Sequence, residues 1–71
     1  MSNKNTDQND DALVDNLVIN VKVKVYHNQG KAQVESDLPF HLLEKVRYQL
    51  MEAGYDCQIV NELKKNFIVV T

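Results

Sequence analysis

Apolar and polar residues alternate without a break from Ile19 to Tyr26. Ile19, Val21, Val23 and Val25 fall on one side, and Asn20, Lys22, Lys24 and Tyr26 on the other. In an extended chain successive side chains point to opposite faces, so residues 17–26 are expected to form a strand with one buried and one wet face. The β-branched residues suit such a pleated, half-buried surface. The alternation returns in residues 31–35, where Ala32 and Val34 are the apolar members, after the turn-like His27, Asn28, Gln29 and Gly30. Gly30 can take positive φ there, so an antiparallel hairpin is expected, with the more polar second strand at the sheet edge.

The period then changes. Leu42, Leu43, Val46, Leu50 and Ala53 recur at helical spacing, with Phe40 and Met51 at the margin of the stripe. His41, Glu44, Lys45, Tyr48, Gln49 and Glu52 occupy the opposite side. A helix over residues 39–53 follows, with Pro39 in its first turn, Ser36 or Asp37 as cap and Gly54 as its left-handed stop. A third strand is expected over 55–63, with Cys57, Ile59 and Val60 as apolar members, then a turn over 62–66. Phe67, Ile68, Val69 and Val70 make a fourth strand, apolar on both faces. The expected fold is α+β, ordered β-β-α-β-β: a four-stranded sheet with one amphipathic helix packed on one face.

Residues 1–16 are mostly polar and are expected to be a separate tail, with at least residues 1–10 disordered, because they offer little to bury. That leaves residues 17–71 as one small α+β domain. Charge follows the same division. The tail sets Lys4 against Asp7, Asp10, Asp11 and Asp15, whereas the remainder is nearly balanced, so the overall −2 comes from the tail. A dense basic excess, the usual footprint of a nucleic-acid binder, is missing. The acidic, polar N-terminus lacks the regions of a secretory signal and no apolar run could span a bilayer, so a cytoplasmic protein with no membrane partner is expected. The abundance of Asn, Asp, Gln and Lys fits a bacterial or phage genome.

Catalytic chemistry finds no foothold. Cys57 is the single cysteine, which excludes an internal disulfide, and its place in an alternating strand suits a small buried hydrophobe better than a nucleophile. His27, His41 and Cys57 do not fall at metal-ligand spacings. Both glycines are assigned to turns, so no phosphate-cradling loop can be assembled. Neither enzyme activity, nor a cofactor or metal, nor a small-molecule substrate is expected. What remains are surfaces: Lys22, Lys24 and Tyr26 on the wet sheet face; His41, Lys45 and Tyr48 on the helix; and Phe67 with Val69 on the last strand. Tyrosine is favoured in protein interfaces, and a small core gains from burying a second apolar face. The expectation is a non-catalytic protein-interaction module, an accessory protein that binds a larger partner, with a homodimer, or a stable partner in its place, burying Phe67 and Val69 or Ile68 and Val70. The alternative is a weak nucleic-acid-binding module using Lys22, Lys24 and Tyr26 on the sheet face.

Overall fold

The computed structural model describes residues 2–71, with side chains from residue 10 onward. Its elements run α1 (Ser2–His27), β1 (Ala32–Ser36), α2 (Phe40–Glu52), β2 (Cys57–Glu62) and β3 (Lys65–Val70). The three strands form one antiparallel sheet in the order β1-β3-β2. The four-stranded sheet with one helix is therefore wrong. The described residues form two helices and three strands, and the segment read as the first strand is the second half of α1.

The reason lies in helical geometry. A step of two residues along an α-helix turns it by about 200°, so apolar residues at every second position divide between two opposite faces. Val21 and Val25 share one face with Val14, Leu17 and Val18, and all five are buried. Ile19 and Val23 fall on the other face, 56% and 47% exposed, against 0% for Val21. Five core contacts spaced by three and four residues outweigh the modest preference of valine and isoleucine for strands. The turn signal was real but belongs to a helix end. Gln29 at φ 60° and Gly30 at φ 107° leave the helical region. The Gly30 N–H donates to the Val25 carbonyl at 2.8 Å and the Gln29 N–H to that of Tyr26 at 3.5 Å, the pairing of a Schellman stop.

The boundary between residues 16 and 17 falls inside α1, and Val14 belongs to the core, so the packed unit reaches at least that far toward the N-terminus. The expected disorder of residues 1–10 lies, for Met1 and for the side chains of 2–9, outside the described residues.

In α2, Leu42, Leu43, Val46 and Leu50 are buried as the periodicity requires, while Ala53 is the exposed C-cap. Pro39 is the N-cap rather than a first-turn residue, and its carbonyl accepts from the Leu42 and Leu43 N–H groups at 2.9 and 3.0 Å. Ser36 does not cap the helix; its Oγ accepts from the Leu38 N–H at 3.2 Å. Gly54 at φ 96° ends the helix in a second Schellman pairing, with the Tyr55 N–H bonded to the Leu50 carbonyl at 3.0 Å. That arrangement packs Tyr55 against the core.

Both helices lie on the same side of the sheet. Ile68, at the centre of β3, pairs in register with Val34 and Ile59; Val70 pairs with Ala32 and Cys57. These residues face the helices, and Ile68 is fully buried. Because side chains alternate along each strand, Phe67 and Val69 must point to the helix-free face.

The β2–β3 hairpin turns on Leu63 and Lys64, at φ 54° and φ 64°. A two-residue turn with both centres at positive φ is ordinarily filled by Asn-Gly, since an L-residue with a Cβ pays roughly 1–2 kcal/mol there. Leu63 recovers nothing by packing, being 93% exposed. Replacing the pair by Asn and Gly (L63N with K64G) should stabilise the fold by about 1 kcal/mol, seen as a rise of roughly 4–8 °C in the thermal midpoint.

Candidate functional site

The residues singled out in the sequence do not converge on one surface. On α1, Lys22 and Tyr26 are one turn apart and exposed, but Lys24 lies about 160° around the helix from Lys22. The sheet face that was to display all three does not exist, because they stand on a helix. Tyr26, 82% exposed, meets the His27 ring edge-on, with centroids 5.7 Å apart. His41, Lys45 and Tyr48, at positions i, i+4 and i+7 of α2, do share one exposed stripe.

Phe67 and Val69 come together on the helix-free sheet face, joined by Val60, the register partner of Phe67 on β2. All three are half-buried. Around them stand Glu35, opposite Phe67 on β1, and Gln33 and Gln58, opposite Val69 on either side. Lys65 and Glu62 close one end, and the Lys65 ammonium lies 3.5 Å from the Glu35 carboxylate. Both partners of that pair are exposed, so it shapes the rim rather than supplying much stability. The result is a small apolar centre inside a polar border carrying both charge signs. Val60 joins this surface by its register with Phe67. Its parity, opposite to that of Cys57 and Ile59, sets it on the helix-free side.

The remaining concavities are open. The groove between α2 and β2, about 310 Å³, is lined by Phe40, Glu44, Arg47, Gln58 and Ile59. Across it the Arg47 Nε–H donates to the Cys57 carbonyl at 3.2 Å, fixing the start of β2 to the helix. Burial pushes the Cys57 thiol up, with the Arg47 charge opposing it less strongly, so the sulfur stays protonated at neutral pH and acts as core. Among the described residues no three His, Cys, Asp or Glu side chains gather as a metal site would need. No helix among them is long and apolar enough to cross a membrane.

No protein-family model, curated protein or solved structure matches the chain.

Proposed function

We propose that the chain is a non-catalytic protein-interaction module that docks a larger folded protein on the helix-free face of its sheet. The observation that carries this reading is the cluster of Val60, Phe67 and Val69 with its polar border. An apolar centre with an aromatic residue inside a hydrated rim has the make-up of a non-obligate protein interface. The charges around it favour protein over nucleic acid. Glu35 and Glu62 outnumber Lys65 on this face, whereas a phosphate backbone calls for basic excess.

The test compares the full-length wild type with Phe67→Glu and Val69→Lys, each first shown to melt cooperatively. Immobilised wild type should retain one host protein in stoichiometric amount. That protein, purified, should bind the wild type and lose at least about tenfold in affinity to each variant, as a central aromatic contact implies. Equal affinity for the wild type and both folded variants would overturn the reading. So would retention of nucleic acid alone, abolished by nuclease.

A further inference from the structure

The face of α1 turned away from the core has a second apolar stripe with its own spacing. Ala12, Asn16, Ile19, Val23 and Tyr26 follow one another at intervals of four, three, four and three residues, and all five are exposed. That is the spacing of a coiled-coil seam, with Asn16 and Val23 in one set of core positions and Ala12, Ile19 and Tyr26 in the other. The described charges bordering it are few. Asp15 and Lys22 sit immediately before Asn16 and Val23, both on the same flank of the stripe.

From this we infer that α1 pairs with α1 of a second copy, antiparallel, so that the chain is a homodimer with two outward sheet faces. The charge pattern selects both the occupant and its direction. When two such helices run antiparallel, like flanks face each other, and Asp15 of each copy meets Lys22 of the other, forming two ion pairs by symmetry. When they run parallel, each flank faces the opposite flank of its neighbour. Asp15 then meets Asn20 and Lys22 meets His27, with no opposite charges paired. In the antiparallel register the small Ala12 faces Val23 of the second copy, and Ile19 covers Asn16.

The homodimer that sequence reading puts on the last strand thus has a better-matched surface on α1. This interface is separate from the proposed docking face, since α1 lies on the opposite side of the sheet from Phe67 and Val69. It explains the alternation in residues 19–26. A helix with apolar residues on two opposite sides serves two partners, the domain's own core and a second copy.

Sedimentation of the full chain over a wide concentration range tests the pairing, with far-UV circular dichroism confirming the fold of each variant. The wild type should dimerise, and Asp15→Lys should weaken the dimer roughly tenfold by replacing two attractions with two repulsions. Combining Asp15→Lys with Lys22→Asp should restore it, because the exchanged charges again face each other. Ile19→Lys and Val23→Glu, at exposed positions, should abolish the dimer without unfolding the monomer. A wild type that stays monomeric at the highest concentration would overturn the inference. A double variant as weak as the single one would overturn the antiparallel pairing. A dimer surviving Ile19→Lys but lost with Phe67→Glu would move self-association to the sheet.

Discussion

Val21→Asp should unfold the chain, whereas Val23→Asp, two residues away, should leave it folded. Val21 is fully buried between the helices and the sheet, and Val23 stands 47% exposed on the far side of α1. A carboxylate at position 21 would be buried without a partner, in a core where no described polar or charged residue is buried to receive it. Such an uncompensated charge typically costs 3–5 kcal/mol, which is comparable to the whole stability of a domain this small. At position 23 the carboxylate stays in water and the change should remain within about 0.5 kcal/mol, measured in dilute solution where self-association adds little. Chemical denaturation reads both. Were residues 17–26 a strand, the two valines would share the core face and both substitutions would unfold the protein.

Leu50→Ala is the second large effect, with an expected loss of roughly 2–5 kcal/mol. Leu50 is fully buried in the last turn of α2, and its carbonyl also accepts the Tyr55 N–H that closes the helix. Removing its side chain opens a cavity between α2 and the sheet that the surrounding branched residues cannot readily fill. Met51, its neighbour, is 48% exposed, so Met51→Ala should shift the denaturation midpoint by little. Comparable losses for the two variants would mean that α2 is rotated from the orientation described.

Most of the C-terminal half was legible in the sequence. The α2 stripe, its Gly54 stop, β1, β2 and β3 all fall within a few residues of the expected limits, because each carries one buried face and one period. Strand parity also set Phe67 and Val69 opposite Ile68 and Val70, but it left open which pair the helices cover. The N-terminal half misled for a physical reason. Two apolar stripes on opposite sides of a helix generate a run of alternation that is indistinguishable over eight residues from a half-buried strand. Val14, Leu17 and Val18 extend the stripe of Val21 and Val25 at helical spacing, but Val14 stood in the segment assigned to a polar tail, and Leu17 and Val18 were read as the start of the strand. The turn residues gave no warning, since Gln29 and Gly30 at positive φ serve a helix stop as well as a hairpin. The candidate sites inherited that error. Lys22, Lys24 and Tyr26 look like a single wet face only if the chain is extended.

The helical state of residues 17–26 underlies the rest. It places α1 over one side of the sheet, leaves the other side open around Phe67, and turns Ile19 and Val23 outward. The backbone carbon chemical shifts of these residues in the full-length protein measure it directly. The fold described here predicts Cα shifts displaced downfield, as in a helix, continuously from Leu17 to Tyr26, with the displacement ending at Gln29. Upfield Cα displacement through Ile19, Val21, Val23 and Val25, with cross-strand contacts from this segment to β1, would contradict it.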